Sequence, residues 1–236
     1  IQMRLVEETY EGFERSGANL PADKKEELKK LNAEISALQL KFGQNLLKET
    51  AAFKLVIEDK EDLSGLTEDQ IAEAASRAEK AGMAGKWIFG LDNPSIMPFL
   101  ANSDKPELRE KMLNAYLNRC NNNNEQDNKR VIKDLISLRL KKAQLMGYED
   151  AAAFILVKRM AQNSAAVYEL LDQIWKPAIA TAKRERDEMI KIMRSEGNNG
   201  EFKASDWRYY EQKVKKAKYD ISEEQLAPYF EINNVR

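Results

Sequence analysis

"DKKEELKKLNAEISALQLKFGQNLLKET", residues 23–50, decides the fold class. Leu28, Leu31, Ile35, Leu38 and Phe42 recur at alternating steps of three and four, which sets them on one stripe of a helix. Asp23 and Glu26 have capping-box spacing just after Pro21, so the helix is expected to open there and run to about Thr50. At the standard rise that is on the order of 40 Å. The stripe suits the core of a bundle; a coiled coil is the alternative, for which the repeat is short.

Downstream, the period changes. In "AAFKLVIEDKEDL" (51–63), Phe53, Leu55 and Ile57 alternate with Lys54, Val56 and Glu58, the two-residue period of a strand. "KWIFGLDNP" (86–94) repeats the signal with Trp87, Phe89 and Leu91 on one side. Residues 53–57 and 87–91 are therefore expected to be extended and to pair as a small ribbon leaning on the helices. Between them, Thr67 and Gln70 form a capping box for a helix that Gly82 can close.

After the second strand the helical signals resume. Asp104 and Glu107, with Pro106 in the first turn, open a helix carrying Leu108, Met112, Tyr116 and Leu117. "NNNN" (121–124) reads as a polar loop. Further helices are expected from about Asn128 to Met146, ended by Gly147, and from about Asp150 to Gln162. A long one is capped by Ser164, interrupted or bent at Pro177 and ended by "EGNNG" (196–200). "SDWRYYEQKVKKAKYD" (205–220) forms the last full helix; Ser222 and Gln225 then open a short one that Pro228 breaks. The expected fold is mostly α, an irregular multi-helix bundle with a small two-stranded β ribbon.

Composition narrows the function. Of 236 residues, 43% are hydrophobic and 33% charged, a balance that suits a soluble helical protein. The net charge is −1, with Lys and Arg interleaved among acids, so the basic stripe required by a nucleic-acid partner is missing. No apolar run is long enough for a membrane span. A lone cysteine, Cys120, allows no disulfide within the chain and reads as a partly buried structural thiol; a cytoplasmic address is the expectation. The first residue is Ile1 rather than Met, so the start is read as trimmed, with an exported parent as the alternative. There are no histidines, so neither a histidine-based hydrolase nor a histidine zinc site can be assembled from these residues alone.

The remaining candidates are few. Glu26 with Glu27, Glu223 with Glu224, and Asp59 with Asp62 are paired acids at helix starts or in a loop, where carboxylates favour the helix dipole and solvate the surface. "DWRYY" (206–210) carries more weight. Adjacent tyrosines on a helix point about 100° apart, so one can pack while the other reaches into a groove. Arg208, Tyr209 and Tyr210 are the candidates for holding a peptide; helix packing with a tied hydroxyl is the competing reading.

Four longer segments carry a family resemblance. "GKWIFGLDNPSIMPFL" (85–100), "NRCNNNNEQDNKRVIKDLISLR" (118–139), "RLKKAQLMGYEDAAAFILVKRMAQN" (139–163) and "DWRYYEQKVKKAKYDISEEQLAPYFEINNV" (206–235) resemble the thimet oligopeptidase family of zinc metallopeptidases, in order along the chain. Within it the chain is most similar to the bacterial peptidyl-dipeptidase (dipeptidyl carboxypeptidase) branch. The resemblance implies a large helical enzyme of two lobes around a deep channel, cleaving short unfolded peptides with one zinc ion. It implies zinc ligands in an H-E-x-x-H motif plus a downstream glutamate, all in the C-terminal half. None of these stands in this sequence, so no catalytic or metal residue is carried over.

Residues 1–236 are accordingly read as a helical fragment of the N-terminal half, part of the channel wall. The parent would be the zinc enzyme, and the isolated chain is expected to hydrolyse nothing and to hold no cofactor. Short peptides and the catalytic half would be its partners, with no nucleic acid and no membrane. Leu226, Tyr229, Phe230, Ile232 and Val235 would face that catalytic half, or drive self-association without it. The alternative is a non-enzymatic helical scaffold or protein-binding module.

Overall fold

The stripe at residues 28–42 does lie on one helix. In a computed structural model that describes residues 2–219 and 227–230, α2 spans Ala22–Ala52 and buries Leu28, Leu31 and Ile35. It starts earlier than its apparent capping box. The Lys25 N–H donates to the Pro21 carbonyl at 2.9 Å, so the first helical hydrogen bond already closes over Pro21. Asp23 therefore sits inside the first turn, where it favours the helix dipole but caps nothing.

The other elements are α1 (Gln2–Arg15), β1 (Leu55–Ile57), α3 (Glu68–Lys80), β2 (Trp87–Phe89), α4 (Asn93–Asn102), α5 (Pro106–Leu117), α6 (Lys129–Leu145), α7 (Ala151–Leu156), α8 (Ser164–Ser195) and α9 (Trp207–Tyr219). Short 3-10 turns occupy Lys60–Leu63, Ala204–Asp206 and Ala227–Phe230. The expected class is what forms: mostly α with one two-stranded antiparallel ribbon. Leu55 pairs with Phe89 and Ile57 with Trp87, inside the two segments that alternate in sequence. Thr67 and Gln70 make the full reciprocal capping box on α3, and Gly82 follows its end at φ +74°.

The start of α8 and the end of α7 also differ from the sequence expectation. The cap of α8 is Asn163, whose Oδ1 accepts from the Ala166 N–H at 2.9 Å, rather than Ser164. Asn and Ser cap about equally well, so neighbouring candidates are not separable by residue type. Helix α7 stops at Leu156 instead of continuing to Gln162. Met160 beyond it is wholly exposed, so no packed face holds further turns. The segment 222–226 lies outside the described residues, and with it the capping pair Ser222 and Gln225.

The chain divides into two compact units, residues 1–48 with 120–176, and residues 49–119 with 177–236. In the first, Ile35 packs with Val131 and Leu135 of α6, flanked by Leu38, Phe42 and Leu138. A buried amide pair ties the same helices: Asn45 Nδ2 donates to Asn128 Oδ1 at 2.9 Å, and Asn128 Nδ2 to the Phe42 carbonyl at 3.1 Å. Arg15 of α1 donates to the Phe154 carbonyl at 2.6 Å and lies 4.3 Å over that ring. Gly17 takes φ +94°, and a Cβ there would fall 2.4 Å from Leu28, so the turn into α2 requires glycine.

The second unit buries larger groups. Leu55 and Ile57 of the ribbon join Phe89, Leu91, Ile96, Phe99, Leu100 and Met112 in one core. The Phe89 and Phe99 rings meet at 4.8 Å. Beside this, Met189 and Met193 of α8 pack on Tyr209 and Tyr210 of α9.

Candidate functional site

Helix α9 carries the three candidates, and its entry fixes where they lie. Before it, Asp206 in the 3-10 turn accepts the Lys203 N–H at 2.9 Å through Oδ2. Its Oδ1 accepts from Arg109 of α5 at 2.6 Å, and both side chains are almost fully buried. Arg109 also donates to the Ser103 carbonyl at 2.7 Å and stacks 4.1 Å over the Tyr209 ring. Its Nε is buried without a hydrogen-bond partner among the described residues. A buried pair of this kind offsets its desolvation only while both charges are present.

Tyr209 and Tyr210 are both buried, their rings edge to face at 5.0 Å. The Tyr209 hydroxyl donates to Asp104 Oδ1 at 2.7 Å, and Ser64 Oγ donates to Asp104 Oδ2 at 2.7 Å. Asp104 therefore does not cap α5, as its spacing to Glu107 suggests; Lys105 holds the cap position, and both Asp104 oxygens reach other elements. Burial pushes the Asp104 carboxyl up, but the hydrogen bonds from Ser64 and Tyr209 and the charges of Lys213 and Arg109 outweigh it and leave the group below the ordinary carboxylate range. Burial raises the Tyr209 phenol. Lys213 stands 4.3 Å over that ring and pairs with Glu196 at 2.6 Å.

The structure thus joins Tyr209 to a polar network running from Ser64 through Asp104 to Arg109 and Asp206. Arg208, one position earlier, points out of the same helix and is exposed. Sequence reading missed Arg109, although a signal existed. It falls on the stripe of Met112 and Tyr116, and an arginine in register with apolar neighbours marks a buried, paired charge.

The paired acids do not assemble. Asp59 caps the Lys60–Leu63 turn through the Glu61 N–H, Asp62 pairs with Lys105 at 3.2 Å, and Glu26 and Glu27 are exposed. Glu223 and Glu224 lie outside the described residues. Cys120 is buried at φ +59°. Among the described residues no group of three or more His, Cys, Asp or Glu side chains could hold a metal ion. With no histidine in the chain, these residues do not fit a zinc centre. Tyr229 and Phe230 are exposed at 74% and 73%, while Leu226, Ile232 and Val235 lie outside the described residues.

Residues 99–236 match the profile described as Peptidase family M3. That span holds Asp104, Arg109, Asp206 and Tyr209; Ser64 and the ribbon precede it. The chain is 34% identical to the dipeptidyl carboxypeptidase of Escherichia coli (strain K12), over 99% of this chain and 34% of that protein. It is 31% identical to oligopeptidase A of the same organism, over 98% of this chain and 35% of that protein. A probable cytosolic oligopeptidase A of Arabidopsis thaliana is 31% identical over 99% of this chain and 34% of its own length. The chain spans about a third of the length of these curated relatives. With more than half of its residues inside the family profile and the remainder covered by the same relatives, the chain belongs to peptidase family M3, the thimet oligopeptidase family.

Proposed function

We propose that this chain is part of the channel wall of a zinc-dependent peptidyl-dipeptidase or oligopeptidase that hydrolyses short unfolded peptides in the cytoplasm. The observation that carries the reading is 34% identity to a dipeptidyl carboxypeptidase sustained over 99% of the chain. The metal and its water belong, in this reading, to parts of the parent protein outside these residues. Within them, the Ser64–Asp104–Tyr209 and Arg109–Asp206 links hold α9 in place, and Arg208, the exposed one of the three candidates, is left to meet a peptide. Tyr209 and Tyr210 act behind it, as supports.

The test is the parent protein. Its full reading frame is expected to carry H-E-x-x-H beyond residue 236. The purified product should cleave short quenched peptides, lose that activity to a chelator and regain it with zinc, while residues 1–236 alone cleave none. A parent without the motif, or with no chelator-sensitive cleavage, overturns the reading. It would favour the non-enzymatic scaffold, for which the exposed apolar residues Met3, Val6, Tyr10 and Phe13 of α1 speak.

A further inference from the structure

Apart from the α9 network, one open cleft of about 370 Å³ lies at the end of the ribbon. Thr50, Phe53, Lys54, Arg77, Lys80 and Ile88 line it. Its size is that of a small-molecule site, and its wall combines apolar side chains with three cations. The cations differ in how they are paired. Arg77 is committed, holding Asp92 at 2.7 and 3.0 Å and Glu73 at 2.7 and 3.1 Å. Asp92 is the acid on this wall, and it is bound by the guanidinium, which also bridges to Glu73 off the wall: the Arg77 hydrogen bond holds the Asp92 carboxyl below the usual range.

Lys54 and Lys80, by contrast, are exposed and make no ion pair among the described residues. Lys54 and Lys80 are therefore the cations of this wall that are open to a ligand. Thr50 Oγ1 accepts from Arg119 at 3.2 Å, which leaves its hydroxyl proton to donate. Gly90 completes the wall without a side chain. A Cβ there would stand 2.7 Å from Asp92 Oδ1 and 3.2 Å from Arg77 Nη1, displacing the pair that neutralises the acid.

We propose that this cleft binds a small organic phosphomonoester. Its phosphate meets Lys54, Lys80 and the Thr50 hydroxyl, and its organic part lies on Phe53 and Ile88. Two unneutralised ammonium groups match the charge of about −1.5 to −2 that a phosphomonoester carries at neutral pH, better than they match a single carboxylate. Lysine serves such a site as a point charge on a flexible stem. The proposal stands independently of the peptidase reading.

Calorimetric titration of phenyl phosphate into the 236-residue chain tests it, with inorganic phosphate as the second arm. The expected result is saturable one-to-one binding, at least about tenfold tighter for phenyl phosphate than for inorganic phosphate. Both lysines are exposed, so Lys54→Ala with Lys80→Ala should keep the helical spectrum while weakening binding at least about tenfold. The Lys54→Arg, Lys80→Arg pair should retain it. Absence of saturable heat, or equal affinity in the alanine pair, overturns the site. Equal affinity for the two ligands overturns the assignment to an organic ester.

Discussion

The two units of this chain spend their apolar residues differently. In residues 49–119 with 177–236, Phe89, Leu91, Ile96, Phe99 and Met112 are each at most 4% exposed. In residues 1–48 with 120–176, helix α1 buries none of its residues, and Met3, Val6, Tyr10 and Phe13 are each at least 60% exposed. Both units are made of amphipathic helices. What distinguishes the second is the ribbon: its strands, α4 and α5 surround one set of side chains, so that a face turned away from one element meets another. An apolar stripe ensures that a helix can pack; it does not supply the surface that covers it.

The sharpest way to break this contrast is to disturb the second unit from within. Asp206→Ala leaves Arg109 buried and unpaired, an expected loss of about 3–5 kcal/mol in urea unfolding. Replacing the pair together, Arg109→Met with Asp206→Leu, should recover most of it, because the desolvation cost leaves with both charges. Phe99→Ala should cost a similar amount, about 3–5 kcal/mol, through the cavity left among Phe89, Ile96 and Met112. A loss under about 1 kcal/mol in either would show that this core does not dominate stability.

In the first unit the largest single effect should come from the backbone. Gly17→Ala forces a Cβ into Leu28 at positive φ, for an expected loss of about 1–3 kcal/mol in the same measurement. The acid limb offers a finer probe of the second unit. The folded pKa of Asp104 is lowered, so its contribution is present above the unfolded carboxyl value and is lost as pH falls through the folded one. Asp104→Asn should therefore narrow the difference in urea midpoint between neutral and acid solution, and an unchanged difference would remove Asp104 from the acid response. The smallest effect belongs to α1: Phe13→Ser should change stability by no more than about 0.5 kcal/mol, because Phe13 is 63% exposed. A larger loss would mean that this face is covered in solution.

Elements whose causes are local are legible in the order of residues alone. The alternating steps from Leu28 to Phe42, the two-residue period of residues 53–57 and 87–91, and the Thr67–Gln70 box each act within a few residues, so periodicity and capping chemistry find them. Three of the four segments resembling the family, residues 118–139, 139–163 and 206–235, also lie inside the matched span 99–236. The rest was decided by tertiary structure. Asp104 has the spacing of a cap, but Ser64, 40 positions before it, and Tyr209, 105 after it, claim its oxygens. Arg109 and Asp206 are 97 residues apart, and only the packing of α5 beside the 3-10 turn makes them one pair. Whether the Arg77–Asp92 pair leaves Lys54 and Lys80 as the open charges of a cleft is likewise a matter of which side chains arrive at the ribbon's end. Local sequence sets which face of a helix is apolar or charged; what that face meets depends on distant residues, whose approach is fixed by the packing of the whole unit.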